Sequence, residues 1–401
     1  MNNTEKEALI DKILKRGIIK TILPSEDEFR KRLLADKPLK FYIGADPTAD
    51  SLHLSHAKNF MLLEDFRKLG HKVFVLFGDL TACIGDPSDR DSVRDQLSRE
   101  KAKENAQSWV NQIKAIIDFE DESNPAQVVY NSSWFDAFNV TELLSLFSNA
   151  TVQQMLERDM FEKRLKEDKP IFLHEFLYPM FQGYDSVALD IDVELCGTDQ
   201  IFNALTGRSL LKKYKDKEKF VVAVNLMENP KTGTLMSKSN GTGVFLGGGA
   251  QSMFGQIMAQ PDEMIEVILV NNTRISLDSI ASLDILNSPR DAKLFTAVEV
   301  TSLFYGKDEA EKQKQHFIET FSKQKFPMDA PVIQIADNQL MLIDLLMNCV
   351  PDKSKSELRR LVTANAVSID GVKHTDPFES LVINSEMELK VGNRLFFRIR
   401  K

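Results

Sequence analysis

Three cysteines in 401 residues, Cys83, Cys196 and Cys349, lie far apart with no paired spacing. That argues against a disulfide framework and against a zinc site, so no metal centre is expected. No apolar run approaches the roughly 18 residues needed to cross a bilayer, and no membrane partner is expected. Neither a Walker A sequence nor a G-x-G-x-x-G occurs, which leaves P-loop and dinucleotide enzymes unsupported. Internal repeats and low-complexity tracts are also missing. The opening stretch, MNNTEKEALIDKIL, reads as a polar amphipathic helix and not as a secretory signal, so the cytoplasm is the default location.

What is present describes an ordinary globular chain, 43% hydrophobic and 27% charged, long enough for two or three domains. The net charge of -8 taken alone argues against nucleic acid. It hides an asymmetry, because residues 353–401 carry ten Lys/Arg against six Asp/Glu on an otherwise acidic chain. A basic end of this kind hints at a nucleic-acid module.

The stretch FYIGADPTADSLHLSH, Phe41 to His56, reads as a buried strand, a loop and the start of a helix capped by Ser51. A helix N-terminus at the carboxyl end of a strand presents unpaired N–H groups to an anion. His53 and His56, three apart, emerge on one side of the first turn and suit a ligand whose negative charge grows during reaction; a histidine that merely caps a helix is the plain alternative. After Gly70, Lys72–Phe77 reads as the next strand, giving a right-handed β-α-β unit. GDLTACIGDPSDRDSVR, Gly78 to Arg94, is a long loop at that strand's carboxyl end, followed by a charged helix from about Asp91 to Asp118. Further strands are expected at 127–131, 193–195 and 220–225, with mostly helix between 133 and 190.

Three other stretches could carry chemistry. Tyr178, Gln182 and Asp185 form a polar stripe at i, i+4 and i+7 on an otherwise apolar helix, as a ligand pocket or as a wet face. Gly197-Thr198-Asp199-Gln200 follows a short strand; glycine permits close approach of backbone to ligand, and Asp199 could accept from ribose hydroxyls or simply cap a helix. Lys238, in a loop with six glycines between Asn229 and Gly249, could swing onto a phosphate or stay a solvated charge.

Together these stretches resemble the class I aminoacyl-tRNA synthetases, and within them the bacterial tyrosyl branch. HLSH looks like the first signature of that class and LMSKS like the second. YIGADPTADSLH, TACIGDPS, YPMFQGYDS and GTDQIFN are similar to tyrosyl-branch segments and occur in the same order. The resemblance implies an α/β fold. A Rossmann-like parallel-sheet catalytic domain binding ATP and tyrosine would span residues 1–228, with the mobile signature loop at 229–249. An α-helical anticodon-side domain would follow at 250–321, a linker at 322–337, and a small α+β RNA-binding domain like that of ribosomal protein S-four at 338–401. It further implies a tyrosine-tRNA ligase that takes L-tyrosine, ATP with Mg2+, and tRNA(Tyr), working as a homodimer.

Carried over by position, Tyr42 and Asp185 would bind the phenol. Asp86, Tyr178 and Gln182 would bind the ammonium group, with Gln200 near the carboxylate. Gly44, Asp46, Thr48, His53, His56, Gly197 and Asp199 would meet ATP, Thr48 and the two histidines together with Lys238 acting in catalysis. Arg90, Arg94, Ser237, Lys238 and Ser239 would meet pyrophosphate. Ser55, Cys196 and Leu235 depart from the usual residues of the class. The rival expectation is a non-catalytic RNA-binding paralogue of the same fold.

Overall fold

A computed structural model describes residues 3–86, 97–157, 159–237, 241–322, 326–327, 330–335, 339–383, 386–392 and 395–400. Two compact units emerge, Met1–Glu311 and Lys312–Lys401.

The first unit is built on a six-stranded sheet. Its strands are β1 (Ile19–Leu23), β2 (Lys40–Ala45), β3 (Lys72–Phe77), β4 (Gln127–Tyr130), β5 (Val193–Gly197) and β6 (Phe220–Val224), in the order β1-β6-β5-β2-β3-β4. All neighbours are parallel except β1, which runs antiparallel to β6. The β2, β3, β5 and β6 runs are mostly buried, as parallel strands covered on both faces are. β1 was not expected. Its sequence, IKTIL, is an edge strand with only Ile22 buried, so it lacks the apolar run that marks its neighbours.

Helices α1 (Asn3–Leu14), α2 (Glu26–Leu34), α3 (Leu54–Lys68), α4 (Arg99–Ile113), α5 (Val140–Phe147), α6 (Leu173–Leu189) and α7 (Ile201–Lys215) accompany this sheet. Phe66 of α3 stacks on Phe41 of β2 with centroids 4.4 Å apart, and Phe29 of α2 meets both rings edge-on. α3 ends where Gly70 takes φ +91°, a conformation a side chain would strain. α4 begins at Arg99, capped by Ser98, and is shorter than the helix expected from about 91 to 118; residues 91–96 of that span are outside the described residues.

Three more helices, α8 (Gly249–Met258), α9 (Met264–Asn272) and α10 (Pro289–Tyr305), continue the first unit. Asn272 and Arg274 donate to the α3 backbone carbonyls of Leu54 and Met61, both at 2.8 Å. Through Glu311, therefore, the stretch expected as a separate helical domain is continuous with the sheet unit.

The second unit holds a five-stranded sheet, ordered β10-β9-β12-β13-β7, and a two-stranded one, β8 with β11. The strands are β7 (Val332–Gln334), β8 (Gln339–Met341), β9 (Val367–Ile369), β10 (Val372–His374), β11 (Ser380–Val382), β12 (Met387–Val391) and β13 (Leu395–Arg400). Val332–Gln334 falls in the stretch expected as linker, yet pairs with β13. Helices α11 (Leu342–Cys349) and α12 (Lys355–Thr363) bury Leu342, Leu345, Leu346, Leu358 and Val362 against Val367, Leu389 and Ile399.

Candidate active site

The carboxyl ends of β2, β3 and β5 converge with the N-termini of α3 and α7 and the middle of α6. The N-cap of α3 is His53 and not the expected Ser51. The chain stays extended through residue 53 because it pairs there with a later segment. Leu54 N–H donates to the Val244 carbonyl at 3.0 Å, Leu246 N–H to the Leu52 carbonyl at 2.9 Å, and Gly247 N–H to Ser51 Oγ at 3.1 Å. The segment just after the second signature is thus hydrogen-bonded to the first.

The His53 and His56 rings lie 4.0 Å apart. Burial lowers the His53 pKa to about 4 and takes His56 well below the ordinary imidazole range, where His53 and Lys58 depress it further. Both rings are neutral at pH 7. His56 Nδ1 accepts from the His53 backbone N–H at 3.4 Å, which leaves its proton on Nε2. His53 Nδ1 is buried with no hydrogen-bond partner among the described residues. On the next turn Lys58 is buried, donating to the Asn225 carbonyl at 2.6 Å and to Asn59 Oδ1 at 2.9 Å. Burial lowers its pKa to about 7, with Asp199 acting in the opposite direction.

The loop before α3 is braced by α4, a contribution that sequence reasoning missed. Asn105 Nδ2 donates to the Pro47 carbonyl at 2.9 Å and Trp109 Nε1 to that of Ala49 at 2.8 Å. Ser108 and Gln112 reach the Asp50 carbonyl at 3.0 and 2.9 Å, and Gln112 Oε1 accepts from Leu52 N–H. The four residues stand at i, i+3, i+4 and i+7, so one helix face carries all of them. That polar stripe was the available signal. Thr48 is half-buried in the braced loop, its N–H bonded to the Asp46 carbonyl at 2.8 Å; Gly44, at the end of β2, is exposed.

Asp46 links two elements, accepting from Thr81 Oγ1 at 2.6 Å and from the Tyr178 hydroxyl at 3.0 Å. Glycine is required beside it: a Cβ on Gly78 would lie 2.1 Å from Asp46 Oδ1 and 2.0 Å from Thr81 Oγ1. The polar stripe of α6 faces inward. Asp185 is 2% exposed and accepts from Trp134 Nε1 at 3.0 Å. Burial raises its pKa well above the carboxylate range, aided by Asp46 and Glu194 and opposed by hydrogen bonds from Trp134 and Asn131. Tyr42 and Tyr178 are likewise buried and held neutral, their pKa values raised by burial and by neighbouring carboxylates.

A chain of hydrogen bonds joins the remaining residues. Gln200 Nε2 donates to Asp86 Oδ2 at 2.7 Å. Asn203 Nδ2 donates to Gln200 Oε1 at 2.8 Å and to Gln182 Oε1 at 2.9 Å. Gln182 Nε2 reaches Glu194 Oε1 at 3.3 Å, and Glu194 pairs with Lys219. Asn203, Glu194 and Lys219 were not among the expected site residues, although Asn203 lies within the GTDQIFN segment. Gly197 approaches Asp199 so closely that a Cβ would lie 2.2 Å from Asp199 Oδ1. Ser237 N–H donates to Thr242 Oγ1 at 3.1 Å; Arg90, Arg94, Lys238 and Ser239 lie outside the described residues. A surface hollow of about 440 Å³, lined by Glu28, Lys31, Arg32, Asp192, Glu218 and Phe220, contains none of these groups.

A cluster of buried and half-buried carboxylates beside a pair of neutral histidines suits an ammonium-bearing aromatic acid next to a phosphate chain. Residues 34–322 match the family described as tRNA synthetases class I (W and Y). The tyrosine–tRNA ligase of Aquifex aeolicus is 37% identical over 388 residues, covering 97% of each chain. That of Thermotoga maritima is 38% identical over 394 residues, covering 97% of this chain and 96% of its own. Among solved structures, a C-terminally truncated Aspergillus nidulans mitochondrial tyrosyl-tRNA synthetase overlays with a TM-score of 0.65 at 22% identity, over 80% of this chain and 99% of its own. The Archaeoglobus fulgidus tyrosyl-tRNA synthetase complexed with L-tyrosine gives 0.59 at 19% identity, over 78% and 100%. At those identities the two structures speak for the fold alone.

Proposed function

The chain belongs to the class I tRNA synthetases of the tryptophan and tyrosine type, and on that premise we propose how its residues divide the work of joining tyrosine to tRNA. It acts as a tyrosine–tRNA ligase, an ATP-using aminoacyl-tRNA synthetase whose other substrates are tyrosine and tRNA. The observation that carries the assignment of residues is the burial of Tyr42 and Asp185 near one another, each hydrogen-bonded to a neighbour of its own. A phenol hydroxyl there meets groups already withdrawn from water, and a substrate lacking it leaves their remaining hydrogen-bonding capacity unmet.

Tyr42 and Asp185 take the phenol. Asp86, Tyr178 and Gln182 take the ammonium group, and Gln200 lies by the carboxylate. A carboxylate oxygen of tyrosine attacks the α-phosphorus of ATP as the bond to pyrophosphate breaks. The 2'-hydroxyl of the terminal tRNA ribose then attacks the tyrosyl carbonyl and AMP leaves. No protein nucleophile is needed; positioning and charge stabilisation suffice. Thr48, His53 and the Nε2–H of His56 donate to the phosphates, Gly44 and Asp46 pack near the nucleotide, and Gly197 admits the ribose to Asp199. Lys238, flanked by Ser237 and Ser239, and Arg90 and Arg94 neutralise departing pyrophosphate. Mg2+ arrives on the ATP phosphates; among the described residues no three His, Cys, Asp or Glu side chains converge to hold a metal ion.

Residues 250–321 serve the anticodon side and 338–401 bind RNA, the latter supported by exposed Lys355, Arg359 and Arg360 on α12. A homodimer is supported by exposed Val140, Leu144, Val152 and Leu173, apolar groups that a second subunit would cover. Among the described residues no helix is long and apolar enough to cross a membrane, and we place the enzyme in the cytoplasm, where tRNA is charged. Pyrophosphate exchange tests the reading. Tyrosine supports exchange while phenylalanine and tryptophan do not; absence of tyrosine-dependent exchange would overturn it and favour the non-catalytic paralogue.

A further inference from the structure

Beneath the phenol end of the pocket lies an ion pair that the reaction does not use. Lys219, just before β6, pairs with Glu194 of β5, the two side chains 0% and 2% exposed. Lys219 Nζ also donates to Ser186 Oγ at 2.7 Å. Ser186 Oγ lies 3.3 Å from Glu194 Oε2 and 3.1 Å from the Tyr42 hydroxyl. Glu194 stands opposite Tyr42 in the β2–β5 register, and the ammonium sits 5.9 Å from the centre of the Tyr42 ring.

Room for this arrangement is made by glycine. α6 and α7 cross at Gly183 and Gly207, and a Cβ on Gly207 would lie 2.7 Å from Lys219 Nζ and 3.0 Å from Ser186 Oγ. A buried ion pair is a poor source of stability, since apolar residues of the same volume usually do as well. What this one does have is direction. Lys219 can only donate and an ionised Glu194 can only accept, so Ser186 between them has its lone pairs and its proton constrained. Tyr42 is the remaining partner of that hydroxyl, and its oxygen is therefore held in one place and one hydrogen-bonding sense.

We propose that Lys219 and Glu194 are positioning residues that act through Ser186 to hold the Tyr42 hydroxyl for the substrate phenol, and so help the enzyme choose tyrosine over phenylalanine. The inference rests on the assignment of Tyr42 to the phenol. Removing the anchor weakens recognition of the hydroxyl; because Glu194 also accepts from Gln182 Nε2, Ser186→Ala is the variant that leaves the ammonium end of the substrate untouched.

The test is pyrophosphate exchange with the full-length enzyme, using tyrosine and phenylalanine at high enzyme concentration. Ser186→Ala removes one oxygen and leaves the ion pair. It raises KM for tyrosine about tenfold with kcat within about twofold, while kcat/KM for phenylalanine stays at the wild-type value. The double variant Lys219→Met/Glu194→Gln, which removes both charges together, moves the same ratio in the same direction. If tyrosine and phenylalanine change in parallel in Ser186→Ala, or neither changes, the inference is overturned whatever the double variant does. A wild-type enzyme without tyrosine-dependent exchange would instead overturn the assignment of function on which it rests.

Discussion

The two halves of the proposed site are built on opposite plans. On the amino-acid side almost every polar group already has a partner: Asp46 with Tyr178, Asp185 with Trp134, Gln200 with Asp86, Tyr42 with Ser186. On the nucleotide side His53 Nδ1 is buried without a hydrogen-bond partner among the described residues, and the order of the histidine pair comes from backbone held in place by α4 and by residues 244–247. Wiring between side chains fixes the shape that must reject close analogues of tyrosine. Open donors suit a ligand whose charge shifts during reaction, because their hydrogen bonds can strengthen in the transition state.

Substitutions can break or sharpen that contrast. Asp185→Ala leaves the phenol without a buried hydrogen-bond partner and Trp134 without its acceptor, and kcat/KM for tyrosine in pyrophosphate exchange falls about 10³-fold. Far less change would mean that the wired side does not carry specificity. His56→Ala acts on the other plan. Exchange shows kcat lower by about 10²-fold with KM for tyrosine within about twofold, as expected of a donor that matters in the transition state. Trp109→Phe keeps the ring against His56 but deletes the donor to Ala49; kcat/KM for ATP falls about fivefold while that for tyrosine holds.

The smallest effect concerns a histidine outside the contrast. His71 is buried against Phe41, its Nδ1 accepts from Leu39 N–H, and burial lowers its pKa to about 4. Because the folded value lies below the ordinary 6.5, the unfolded chain takes up this proton first. The stability that depends on a neutral ring is full above pH 6.5 and is lost as pH falls toward 4. His71→Asn keeps an acceptor that does not titrate. Its melting temperature therefore drops less than that of the wild type between pH 6.5 and 4.5, measured by thermal denaturation.

Much of the proposed nucleotide side was legible in the chain, because its parts are local. A strand, a loop with Asp, Pro and Thr, and histidines at i and i+3 are contiguous from Phe41 to His56. Five of the six main-sheet strands could be read from short, largely apolar runs, and only the half-exposed edge strand β1 escaped. The cap was misread because extended pairing with residues 244–246 delays the helix to Leu54, and a partner some 190 residues away leaves no local mark. The wiring of the amino-acid side was the least legible. Lys219 follows Asp216, Lys217 and Glu218 in a stretch that reads as solvated charge. Only the pairing of β5 with β6 carries it under Tyr42.

If the amino-acid side is complete in the empty enzyme, it needs no nucleotide to recognise its substrate. Calorimetric titration of tyrosine, and separately of phenylalanine, into nucleotide-free protein measures this directly. Saturable binding of tyrosine without ATP, with phenylalanine at least about 10²-fold weaker, is the predicted result. Tyrosine binding that appears only once ATP is present, or equal binding of the two amino acids, would contradict it.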